Sequence, residues 1–124
     1  MTEVSSSPVI ISIDQKKKRI RIHKSMLQLL DFPRYIQLLV NPNNKCVAIK
    51  AIGNPTSNDQ AERIKPQKLM VNDSYELYST AFIDKLCEVD SRIEPKYTYR
   101  LTGKIIPSHQ MALFSLETLT RVDV

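Results

Sequence analysis

The sequence predicts a mainly β domain with short helices (α+β), in which two hairpin–helix–hairpin units share one core. Three observations predict it. Short runs of β-branched and aliphatic residues recur along the chain, some strictly alternating. The only concentration of chain-breaking residues, "GNPTSNDQ" (53–60), falls near the middle. After it the same order of elements starts again, with Ile20 matching Tyr75 and Ile22 matching Leu77.

The elements follow in order. Beyond a polar tail over 1–8, "VIISI" (9–13) is a strand of β-branched residues, and "DQKKK" (14–18) is a turn. "RIRIH" (19–23) alternates, which puts Ile20 and Ile22 on one face and Arg19, Arg21 and His23 on the other. These two strands form a hairpin with lysines at its tip. Ser25 followed by Gln28 matches a capping box that opens the short helix "MLQLLD". Met26, Leu27, Leu29 and Leu30 form its buried face, and Pro33 stops it because the residue before a proline avoids helical geometry. "RYIQLLV" (34–40) and "CVAIKAI" (46–52) are strands joined by the turn "NPNNK".

A linker over 53–65 follows, with a helical turn at "AERIK". The second unit holds strands "QKLMV" (67–71) and "YELYS" (75–79), then the amphipathic helix "TAFIDKLCEV" (80–89), with Phe82, Ile83, Leu86 and Cys87 on one face. Strands "KYTYRLT" (96–102) and "MALFSLETL" (111–119) close it, separated by a loop containing Gly103 and Pro107, and 120–124 is a tail. The expected domain is thus 9–119, made of pseudo-repeats 9–52 and 66–117. Neither half has strands enough to bury both its faces, so the two must share a core.

Charge is unevenly placed. The chain of 124 residues carries a net +5, but residues 1–68 hold twelve Lys/Arg against five Asp/Glu (+7). Residues 69–124 hold six against eight (−2). A basic half beside a mildly acidic one favours an oriented interaction with a polyanion. The N-terminal "MTEVSSSPVI" has neither the basic nor the apolar region of a secretory leader, and no run reaches about 18 apolar residues. A cytoplasmic setting without membrane contact is expected, in which Cys46 and Cys87 are buried free thiols and the Asn72–Asp73–Ser74 glycosylation pattern carries no meaning.

Other chemistry finds little support. Two distant glycines, Gly53 and Gly103, cannot build a phosphate-cradling loop. His23, His109, Cys46 and Cys87 lack the close spacing of metal ligands. Tyr75, Tyr78, Tyr97 and Tyr99 lie along predicted strands and are expected to pack on the core. No enzyme, metal or cofactor is expected.

The segment "VIISIDQKKKRIRIHKSMLQLLDFP", followed by a hairpin, resembles the AbrB-type (SpoVT/AbrB-like) swapped-hairpin family of bacterial transition-state regulators and antitoxins. Ile20 and Ile22 match its second strand, Lys24 the motif lysine, Leu30 the helix-closing leucine and Phe32 the residue after it. The tandem arrangement is similar to the MraZ architecture, with two such units in one chain. His23 stands where the family has proline and Asp31 where it has glycine, and the second half matches in pattern only.

The resemblance implies a swapped-hairpin, barrel-like fold and a transcription-regulatory role on double-stranded DNA. It implies contacts through Lys17, Lys18, Arg19, Arg21 and Lys24, where arginine grips phosphate or guanine bidentately and lysine acts as a point charge. The competing reading is a non-enzymatic interaction module on the same fold, holding a protein partner or a second copy of the chain. In that case Arg19, Arg21 and His23 are simply the solvated face of a half-buried strand.

Overall fold

In the computed structural model, residues 8–54, 61–65 and 73–122 are described. The strands are β1 (Val9–Asp14), β2 (Arg19–His23), β3 (Tyr35–Asn41), β4 (Cys46–Ile52), β5 (Ala61–Arg63), β6 (Ser74–Tyr78), β7 (Thr98–Ile106), β8 (Met111–Ser115) and β9 (Thr120–Val122). Helix α1 (Lys24–Leu29) follows β2, and α2 (Thr80–Val89) follows β6. All strand pairs are antiparallel, and the sheet runs β5-β3-β4-β8-β7-β1-β2-β6, with β9 also on β7. Curved on itself, this sheet makes a half-barrel with two helices, a mainly β, α+β architecture.

Alternation decides the inner face. Ile11 and Ile13 of β1, Ile20 and Ile22 of β2, Tyr75 and Leu77 of β6 and Leu101 of β7 are all buried, as are Val47, Ile49 and Phe114. Met26 and Leu27 from α1, and Phe82, Ile83 and Leu86 from α2, join the same cluster. Each fully buried apolar side chain contributes roughly 1.5–3 kcal/mol, so Ile22→Ala in the middle of this cluster is a severe change.

Local chemistry explains the boundaries. The cap of α1 is His23, whose ring Nδ1 accepts the Ser25 N–H at 3.1 Å, so the helix starts one residue before the expected serine cap. Its end is a Schellman motif: Asp31 N–H donates to Gln28 O (2.9 Å) and Phe32 N–H to Leu27 O (2.8 Å). Asp31 (φ 62°) and Phe32 (φ 44°) are both left-handed, so backbone hydrogen bonding ends the helix before Pro33 can act. In α2, Ser79 Oγ accepts the Phe82 N–H at 3.3 Å.

Several boundaries differ from the sequence reading. "AERIK" supplies β5 rather than a helical turn, because Ala61–Arg63 pairs with the edge of β3. Gly103 lies within β7, which extends to Ile106, and the turn is the 3₁₀ segment Pro107–His109. The segment 111–119 breaks after Ser115 into a 3₁₀ turn, and part of the expected tail forms β9. The strand expected at 67–71 lies outside the described residues. Cys46 and Cys87 are free thiols, half-buried rather than buried. Tyr75 and Tyr99 pack in the core, but Tyr78 is exposed. Among the described residues no helix is long and apolar enough to cross a membrane.

The pairing has a numerical regularity. Adding 65 to both members of Leu38↔Ile49, Leu39↔Ala48, Val40↔Val47 and Asn41↔Cys46 gives the four pairs joining β7 to β8. Pro42 then corresponds to Pro107, and left-handed Lys45 (φ 51°) to left-handed Gln110 (φ 50°). Across the β4–β8 junction, Leu116 N–H donates to Lys45 O and Ala51 N–H to Gln110 O, each at 2.9 Å. At the other end, β2 meets β6 with Ile20↔Leu77 and Ile22↔Tyr75, centred on Arg21↔Glu76.

Candidate nucleic-acid interface

The basic run begins in the turn between β1 and β2. Asp14 Oδ1 accepts the Lys17 N–H at 3.2 Å, and Lys18 N–H donates to Gln15 O at 3.3 Å. Lys18 closes the turn in the left-handed region, φ 53°. The side chain of Lys17 projects into solvent and makes no ion pair among the described residues.

Three of the five expected DNA-facing residues already hold partners. Lys18 Nζ meets Asp84 of α2 at 2.7 Å. Arg19 lies between Asp14 (2.9 Å) and Glu76 (3.4 Å), with only 18% of its side chain exposed. Arg21 donates to Glu76 at 2.7 Å but remains 47% exposed. Lys24 is half-buried at the start of α1, where its N–H donates to Asp73 O at 2.7 Å. Thus part of the positive charge is met by Glu76 and Asp84 from the acidic half, across the β2–β6 seam and at α2.

The electrostatics follow from these pairs. The Arg21 hydrogen bond holds Glu76 below the usual carboxylate range despite burial, and Arg19 and Lys17 add to the effect. Burial works against the Arg19 charge, but Glu76, Tyr78 and Asp14 outweigh it and keep the guanidinium more firmly protonated. Arg19 is therefore fixed in place by its neighbours, whereas Arg21 can still offer donors outward.

The same face contains groups that the sequence reading did not single out. On β1, Ser12 pairs in register with Arg21 on one side and with Arg100 of β7 on the other. Arg100 is exposed and makes no ion pair among the described residues. With strands about 4.8 Å apart, the two arginine backbones are about 10 Å apart across Ser12. Alternation in "YTYRL" places Arg100 outward, but its nearness to Arg21 depends on β1 lying between β2 and β7. Among the described residues, no group of three or more His, Cys, Asp or Glu side chains is arranged to hold a metal ion.

Comparison with family models, curated proteins and solved structures gives no significant match.

Proposed function

We propose that the protein is a small DNA-binding regulator that meets duplex DNA with the outer face of β1, β2 and β7 and with the β1–β2 turn. The observation that carries this reading is the placement of Arg21 and Arg100 on either side of Ser12, on the hairpin whose turn exposes Lys16 and Lys17. Such a surface combines point charges with bidentate donors, the two means by which proteins hold a phosphate backbone. In this reading Lys17, Arg21, Lys24 and Arg100 face the DNA, while Lys18 and Arg19 brace the seam that presents them.

The fold proposed with it is a duplicated, swapped-hairpin half-barrel. Its support is the constant offset of 65 between the β3–β4 and β7–β8 registers, the matched turns at Pro42 and Pro107, and the reciprocal hydrogen bonds at Lys45 and Gln110. The interleaved sheet order, with β1 on β7 and β2 on β6, is what two exchanged hairpin units would produce.

A protein-interaction module is the second reading. It is favoured by a 540 Å³ groove elsewhere on the sheet, where Leu39, Ala48, Met111 and Leu113 give an apolar lining. The readings separate in a duplex titration at several salt concentrations, comparing wild type with Lys17→Glu/Lys24→Glu/Arg100→Glu. This set leaves the ion pairs of Lys18, Arg19 and Arg21 intact. DNA binding predicts a log–log salt slope flattened by about 0.9 for each phosphate that the variant no longer neutralises. Equal, salt-insensitive binding by both proteins would reject it.

A further inference from the structure

We propose that an open depression on the outer face of β1, β2 and β7 is a seat for the phosphate of one nucleotide unit. The depression has a volume of 460 Å³, within the roughly 300–1,000 Å³ of small-ligand sites. Its polar lining is Arg21, Arg100, His23, Ser12, Ser25 and Ser74. Among the described residues no carboxylate lines it. Pro8 and Ile10 supply an apolar wall beside these groups, and Ile10 is 41% exposed.

The donor set suits a phosphate. Arg21 uses one N–H on Glu76 and keeps four, while Arg100 holds all five without an acceptor among the described residues. His23 Nδ1 accepts the Ser25 N–H, so the hydrogen-bond network assigns the proton of the neutral ring to Nε2, as a donor. The Ser12 and Ser74 hydroxyls add neutral donors, the Ser25 hydroxyl is spent on His23 Nδ1 at 2.9 Å, and the nearby Glu76 carboxylate is held by Arg21. Two guanidiniums about 10 Å apart at the backbone can close on one phosphate between them. The volume exceeds what one phosphate fills, and the apolar wall gives the attached sugar and base a surface to cover. The chemistry is therefore a nucleotide phosphate, from a strand backbone or from a free nucleoside monophosphate.

The seat shares a face with the proposed DNA surface, but its ligand need not be a duplex. Its test is amide chemical-shift titration of the full chain with inorganic phosphate, thymidine 5′-monophosphate, thymidine and a short duplex. Phosphate and the monophosphate should bind saturably, moving the amides of Ser12, Arg21, His23 and Arg100, and thymidine should not. Arg100→Gln should weaken both by about tenfold or more, as loss of charge-assisted hydrogen bonds does. Ser74→Ala, which removes one neutral donor, should weaken them less. Non-saturating shifts spread over all lysines, or unchanged affinity in Arg100→Gln, would overturn the seat. The duplex arm decides the source. Duplex binding that falls with the monophosphate in Arg100→Gln assigns the seat to a strand backbone. A working seat with no duplex affinity assigns it to free nucleotides and rejects the DNA reading alone.

Discussion

Replacing Glu76 with Gln should make the protein slightly less stable and bind phosphate more tightly. Glu76 accepts from Arg21 at 2.7 Å and lies 3.4 Å from Arg19. Its side chain is 35% exposed and that of Arg21 47% exposed, so solvent screens the nearer pair and it stabilises by about 0.5–1 kcal/mol. Arg19 keeps Asp14 at 2.9 Å, which limits the loss on that side. The expected destabilisation is about 1 kcal/mol, or about 4 °C in Tm for a chain of this size. Removing the carboxylate also takes away a negative charge about 7 Å from the seat, one strand spacing plus part of an arginine arm. Coulomb repulsion of an anion at that distance in water is about 0.6 kcal/mol, so its removal gains about threefold in anion affinity. Because the folded pKa of Glu76 is depressed, its contribution is present above the ordinary carboxylate range and is lost as pH falls through the folded value. Urea melts from pH 7 down to pH 3, with phosphate titrations at pH 7, measure both effects. Weaker phosphate binding in Glu76→Gln would contradict this expectation, because it would mean that Glu76 holds Arg21 in place for the ligand more than it repels the ligand.

Asp31→Gly should stabilise the protein by roughly 0.5–1 kcal/mol, because φ 62° costs a Cβ-bearing residue energy that glycine escapes, less glycine's larger entropy loss. Asp31→Ala, keeping the Cβ, should not stabilise, and chemical denaturation compares the two. Gly103→Ala should destabilise by about 3 kcal/mol, seen as a thermal shift of about 10 °C, since its Cβ would sit 2.2 Å from Leu113 O and 2.5 Å from the Phe114 ring. An unchanged Tm would mean that β7 and β8 can separate there without loss. The Arg92 hydrogen bond holds Asp90 below the usual carboxylate range against burial. Its stabilisation should therefore hold above that range and disappear as pH falls through the depressed value, so Asp90→Asn should flatten the acid limb of stability against pH.

Local signals carried much of the architecture. Alternation in "RIRIH" and "YELYS" placed Ile20, Ile22, Tyr75 and Leu77 inward, as they are. The breaks at Pro33 and "NPNNK" located α1 and the β3–β4 turn to within a residue or two. What remained hidden was long-range. Nothing local says that Ser12 lies between Arg21 and Arg100, because that follows from the pairing of β1 with both β2 and β7. The neutralisation of Lys18 by Asp84 and of Arg19 by Glu76 was hidden for the same reason. A run of like charge in sequence need not be a run of free charge in space. The misplaced turn at Gly103 has a different cause: glycine is also used where a neighbouring ring and carbonyl leave no room for a Cβ.

Whether the outer face of β1, β2 and β7 is the nucleic-acid surface is decided by mapping where duplex DNA perturbs the protein. Amide chemical shifts of the full chain, recorded during a duplex titration at low salt, give that map residue by residue. DNA binding at this face predicts changes at Ser12, Lys17, Arg21, Lys24 and Arg100, fading as salt is raised. Changes centred instead on Leu39, Met111 and Leu113, or no saturable change anywhere, would rule it out.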